Sequence, residues 1–128
     1  FKVEEAGEKV AILALGDFYQ RGEQLSAKIK AELGFTPTLI NPRFASGIDK
    51  ELLESLSERH QMVITMEDGI LSGGFGEKIA SFYGSSDMKV KNYGLEKKFY
   101  DRYDPNELLK EVGMTPAQII ADICNQLK

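Results

Sequence analysis

Several residues in this 128-residue sequence have the chemistry to bind or to react. Asp17, the pair Glu67-Asp68 and Arg43 supply carboxylates and a guanidinium. Carboxylates gathered on one rim can hold Mg²⁺, or can divide acid and base roles, because close like charges resist ionising together. The turn Ser72-Gly73-Gly74-Phe75-Gly76 precedes an amphipathic stretch, so it offers bare backbone N–H groups at a helix start, where the helix dipole favours an anion. His60 is the only histidine and Cys124 the only cysteine.

Each group also has a structural reading. Asp17 is placed to cap a helix, with Gln20 three residues on as in a capping box, and Arg43 would pair with any carboxylate on the same rim. Gly74-Phe75-Gly76 lacks the third glycine of a dinucleotide fingerprint and the Lys-Ser/Thr of a Walker loop, and close packing of a helix on a sheet accounts for the glycines equally well. His60 has no second histidine or cysteine pair at zinc spacing, so a solvated residue before a strand is the expectation. Serines 72, 81, 85 and 86 lie outside any G-x-S-x-G elbow. One cysteine excludes an intramolecular disulfide, and Cys124, within Ile119-Ile120-Ala121-Asp122-Ile123-Cys124, reads as a small buried residue. No reaction centre is visible. Arg43, Glu67, Asp68, Gly73, Gly74 and Gly76 stand as candidates for an anion site or an interface.

The elements that would position these residues follow from patterning. Lys9 to Gly16 is a near-continuous apolar run, as expected of a parallel strand covered on both faces. Phe18, Gly22, Leu25, Ile29 and Leu33 then form one stripe of a helix that stops at Gly34. Pro37-Asn41 reads as a second strand, which makes the unit a right-handed crossover. Asp49 caps a short helix carrying Leu52, Leu53 and Leu56, Met62-Met66 is a third strand closed by Glu67-Asp68, and a helix runs from about Gly73 through Tyr83. Met88-Tyr93 alternates apolar and polar residues, as at a sheet edge. Asp104-Pro105-Asn106-Glu107 and Thr115-Pro116-Ala117-Gln118 are two further helix starts. The fold class is a three-layer α/β domain, with residues 1–8 as an N-terminal linker. In such a sheet ligands lie outside the carboxyl ends of the strands, here Gly16-Asp17, Asn41-Pro42-Arg43 and Glu67-Asp68-Gly69.

Composition narrows the partners. Sixteen Lys and Arg against 20 Asp and Glu give a net charge of −4, and the hydrophobic fraction of 42% is that of a folded chain. At this length folding buries roughly 65–70% of the unfolded surface, enough for one core without disulfides or a structural metal. Lys89, Lys91, Lys97 and Lys98 are diluted by Asp87, Glu96 and Asp101, so the sequence predicts a solvated face and no nucleic-acid partner. No run approaches a membrane span and no signal segment opens the chain, so a cytoplasmic protein is expected. Residue 1 is Phe, which fits a chain cut from a longer polypeptide.

Four strings in order resemble one family. Lys9-Val10-Ala11-Ile12-Leu13-Ala14-Leu15-Gly16, Leu39-Ile40-Asn41-Pro42-Arg43-Phe44 leading to Ile48-Asp49, Val63-Ile64-Thr65-Met66-Glu67-Asp68-Gly69 with Gly73-Gly74-Phe75-Gly76, and Asn92-Tyr93-Gly94-Leu95 are similar to the C-terminal domain of 1-deoxy-D-xylulose-5-phosphate synthases, within the transketolase C-terminal-domain superfamily. The resemblance implies a mostly parallel five-stranded sheet with one antiparallel strand. It also implies a parent enzyme that uses thiamine diphosphate and Mg²⁺ to condense pyruvate with glyceraldehyde 3-phosphate, with the cofactor held between two earlier domains. This domain would then carry no cofactor and no catalytic residue, and would support the fold and a homodimer, its partners being the upstream domains of the same polypeptide. The family's diphosphate motif, Gly-Asp-Gly followed by Asn-Asn, is absent: Gly16-Asp17-Phe18 has the first two letters only. The sequence departs from the family at Ala45-Ser46-Gly47-Ile48-Asp49, where Lys-Pro-Leu-Asp is usual. It departs again across Glu96 to Tyr103, where a His is missing, so no role of that late turn is carried over. The alternatives are the equivalent domain of a transketolase or of a 2-oxo acid dehydrogenase beta subunit, and, from another class, a free-standing anion-binding or protein-interaction module.

Overall fold

Val10, Ala11, Ile12, Leu13 and Ala14 are all fully buried, which a strand achieves only with both faces covered and both edges paired. A computed structural model of the chain, which describes residues 1–43, 48–68, 74–84, 86–95 and 115–127, places them at the centre of a sheet. Its strands are β1 (Lys2–Glu5), β2 (Lys9–Ala14), β3 (Thr38–Asn41), β4 (His60–Asp68) and β5 (Lys89–Leu95), in the spatial order β1-β3-β2-β4-β5. The ladders β2/β3, β2/β4 and β4/β5 are parallel, and β1 pairs antiparallel with β3, Val3 opposite Ile40. This is the mixed five-stranded sheet expected, with β5 at an edge as its alternating sequence predicts.

Alternation along the strands divides the core. Val10, Ile12 and Ala14, with Met62, Ile64 and Met66, pack against α1 (Tyr19–Leu33) and the C-terminal helix α4 (Pro116–Leu127). Ala11, Leu13, Ile40 and Val63 pack on the opposite face against α2 (Lys50–Leu56) and α3 (Phe75–Tyr83). Each fully buried Ile or Leu stabilises the fold by about 1.5–3 kcal/mol relative to leaving it in water. Two caps match the sequence reading. Asp49 Oδ1 accepts from Leu52 N at 3.2 Å. Gln118 N donates to Thr115 Oγ1 at 3.3 Å while Gln118 Oε1 accepts from Thr115 N at 3.1 Å, a reciprocal capping box. Cys124, expected to be buried, is a free thiol only half-buried, packed against the core cluster on the α1 and α4 side of the sheet.

Three expectations are revised. Residues 2–5, expected within a linker over 1–8, form strand β1; its four residues are polar except Val3 and lie at the sheet edge, so they carry no apolar signal. Helix α1 starts at Tyr19, after a 3-10 turn over Gly16–Phe18, with Phe18 at the N-cap and no side-chain cap bond. Asp17 therefore does not take the cap position; the extra turn delivers Phe18, 1% exposed, into the core. His60 is not a solvated residue ahead of a strand but the first residue of β4, half-buried and hydrogen-bonded on both ring nitrogens. The helix expected after Asp104-Pro105, together with Gly73, Lys97 and Lys98, lies outside the described residues.

Two phenols tie the helices to the sheet and to each other. Tyr93 on β5 donates to Asp122 Oδ2 on α4 at 2.5 Å, and Tyr83 on α3 donates to the Leu53 carbonyl on α2 at 2.6 Å. Burial raises the pKa of both, and the Asp122 carboxylate raises that of Tyr93 further. No helix among the described residues is long and apolar enough to cross a membrane.

Candidate functional site

The chain changes direction across the sheet between β2 and β4. From β2 it crosses through α1 on one face to β3, and from β4 it crosses through α3 on the other face to β5. The carboxyl ends of β2 and β4 therefore flank the topological switch point, where α/β sheets open a crevice. Leu15 N donates to Met66 O at 2.9 Å, which keeps the two strands together up to this rim.

Glu67 lies on this rim. Side chains alternate along β4, so Val63, Thr65 and Glu67 share the face covered by α3. Glu67 is 4% exposed, and its carboxylate reaches the start of that helix, accepting from Phe75 N at 3.2 Å and from Gly76 N at 2.5 Å. These amides belong to the first turn of α3, where N–H groups have no partner within the helix. The carboxylate thus occupies the position in which helix N-termini bind phosphate, and the dipole stabilises it there. Gly74 is the N-cap residue and contributes its carbonyl to Lys78 N at 3.3 Å.

Beneath α3, the Thr65 hydroxyl donates to Asn92 Oδ1 at 2.6 Å. Gly76 rests on this pair: a Cβ there would stand 2.6 Å from Thr65 Oγ1 and 2.8 Å from Asn92 Cγ. The glycine is fixed by close approach of helix to sheet. Gly76→Ala should therefore cost about 1–3 kcal/mol, the usual range for overpacking, read as a lower urea midpoint with an unchanged m-value. A midpoint within error of wild type would show that the Asn92 side chain swings aside freely.

The other rim candidates fall elsewhere. Arg43 is exposed at the end of β3, with φ 69° and its N–H donating to Asn41 Oδ1 at 3.0 Å. β2 separates its strand from that of Glu67, a spacing of about 10 Å for two strand intervals. Asp68 ends β4, its backbone in register with Leu95. The structure joins Glu67, Gly74 and Gly76 in one arrangement and leaves Arg43 outside it. Thr65 and Asn92 were not among the sequence candidates; the signal was a single hydroxyl inside the apolar run Val63-Ile64-Thr65-Met66.

The described residues do not fit a Mg²⁺-bound diphosphate. The amides of the glycine-rich helix start already bind the protein's own carboxylate, and no group of three or more His, Cys, Asp or Glu is placed to hold a metal.

Comparison with known proteins agrees with this architecture. A family model described as "Transketolase, C-terminal domain" matches residues 1–119. A 1-deoxy-D-xylulose-5-phosphate synthase from Shouchella clausii is 33% identical over 129 residues, covering 99% of this chain and 20% of the relative. One from Clostridium perfringens is 38% identical over 115 residues, covering 88% of this chain and 18% of its own. A solved chain described as "Split gene transketolase, inactive beta4 tetramer" superposes with a TM-score of 0.82 at 25% identity, covering 98% of this chain and 41% of that one. The chain thus spans about a fifth of the length of the curated relatives it matches.

Proposed function

The chain belongs to the transketolase C-terminal domain family, and from that premise we propose that it is the carboxyl-terminal structural domain of an enzyme of the 1-deoxy-D-xylulose-5-phosphate synthase type. Such an enzyme joins pyruvate to glyceraldehyde 3-phosphate with loss of carbon dioxide, feeding isoprenoid synthesis in the cytoplasm. On this reading thiamine diphosphate and Mg²⁺ belong to upstream domains of the same polypeptide, and the domain supplies folding support and part of a homodimer contact, with no catalytic residue of its own. The observation that carries the reading is coverage: nearly the whole chain aligns with synthases, and with only a fifth of each. The engagement of Glu67 with α3 supports the non-catalytic part, because it takes up the amides a phosphate would need. A transketolase parent is the second reading, favoured by the structural neighbour at 25% identity against 38% for the Clostridium perfringens synthase.

Calorimetry on the 128 residues with thiamine diphosphate and Mg²⁺ tests the assignment of the coenzyme to other domains. The expected trace shows no binding heat up to millimolar ligand. Micromolar affinity would refute the reading.

A further inference from the structure

At the opposite rim from Glu67, the amino ends of β3 and β4 share a chain of hydrogen bonds with the β1–β2 connection. His60 Nδ1 lies 2.9 Å from the Leu56 carbonyl oxygen, which can only accept, so Nδ1 carries a proton. In the neutral ring Nε2 is then an acceptor, and Thr38 Oγ1, 2.6 Å away, donates to it. The same Thr38 oxygen accepts from Gly7 N at 2.8 Å. Neutral His60 thus satisfies every group from Leu56 to Gly7.

We infer that His60 is a pH-operated latch on the edge strand β1: its neutral ring orients the Thr38 hydroxyl to hold Gly7, and protonation releases the connection that anchors the strand. A proton on Nε2 turns that nitrogen into a donor. Two N–H groups then converge on Thr38 Oγ1, and the hydroxyl hydrogen loses its acceptor. Thr38 is 3% exposed, so water cannot take over.

The Gly7 side is the weaker one. Val10 N donates to Glu8 O at 2.8 Å across Lys9, whose φ is 69°; an i to i+2 bond with positive φ is a strained γ-turn. The connection is held down at Glu8 N by Thr36 O at 2.8 Å and at Lys9 N by Arg59 O at 2.9 Å. Losing the Gly7 bond leaves these two to oppose the strain.

Charged groups surround the ring. Burial is the largest influence and lowers the His60 pKa; the hydrogen bond to the Leu56 carbonyl opposes it, Arg59 lowers the pKa further, and Glu8 raises it. Asp87 and Lys89, of opposite sign, line the same cleft as His60, and Lys89 donates to the Gln126 carbonyl. Because the folded pKa lies below the unfolded value near 6.5, the latch's contribution to stability is complete above pH 6.5 and is lost as pH falls through the folded pKa.

Amide hydrogen exchange by NMR on the 128-residue chain, corrected for intrinsic rates, tests this. As pH falls from 7.5 through the folded His60 pKa, the Gly7 amide should lose about tenfold more protection than Ile64, which sits at the sheet centre and reports the global stability. His60→Gln, which cannot titrate, should remove that pH dependence. In the wild-type chain at pH 7.5, ¹⁵N shifts of the ring should show the proton on Nδ1, a readout that needs no variant. A proton on Nε2, or Gly7 protection that follows Ile64 across the pH range, would overturn the proposal.

Discussion

Glu67→Ala should lower the unfolding free energy by about 3 kcal/mol, read from the urea midpoint. The substitution removes an acceptor that is 4% exposed and serves two backbone donors. Phe75 and Gly76 are themselves buried, so their N–H groups would be left without water, at about 1–3 kcal/mol for each unsatisfied group. Glu67→Gln separates hydrogen bonding from packing. It keeps the volume and one oxygen but turns an N–H₂ group toward a donor, so its loss should fall between wild type and alanine. A loss below about 0.5 kcal/mol for alanine would mean that solvent fills the gap and that the carboxylate does not hold α3.

Gly7→Ala should cost about 3 kcal/mol or more, because the obstacle is backbone. A Cβ on Gly7 would stand 2.1 Å from Thr36 O and 2.7 Å from the Pro37 carbonyl carbon and oxygen, and neither can rotate away. Gly34→Ala is the control. Gly34 has φ 78° but nothing within 4 Å of a new Cβ, so only left-handed strain of about 1 kcal/mol applies. Equal midpoint shifts for the two variants would show that the β1–β2 connection lifts off β3 without cost.

Much of this arrangement is legible in the sequence where apolar periodicity and caps coincide. The β2 run, the α1 stripe from Phe18 to Ile29, the Asp49 cap and the Thr115-Gln118 box all speak of local geometry, and each is present. β1 is not legible because Lys2-Val3-Glu4-Glu5 owes its strand form to β3, whose edge it covers. The candidate site is legible in its parts but not in its wiring. Glu67 and the Gly74-Phe75-Gly76 turn are recognisable as an anion and an anion-binding turn; that each satisfies the other depends on how α3 folds back over β4. His60 misleads for the same reason: the Leu56 carbonyl is only four residues back, but Thr38 reaches the ring only once β3 is docked.

The order of the strands has a kinetic consequence. No two consecutive strands among the described residues pair with each other across a simple turn; β1 passes over β2 to reach β3, the ladders β2/β3 and β4/β5 join strands a helix apart in sequence, and β2/β4 joins strands separated by α1, β3 and α2. The nascent chain cannot zip the sheet from a hairpin. It must close long loops before β2 gains either neighbour, which places it among slow folders and leaves its most apolar segment open to association with other chains until β4 arrives.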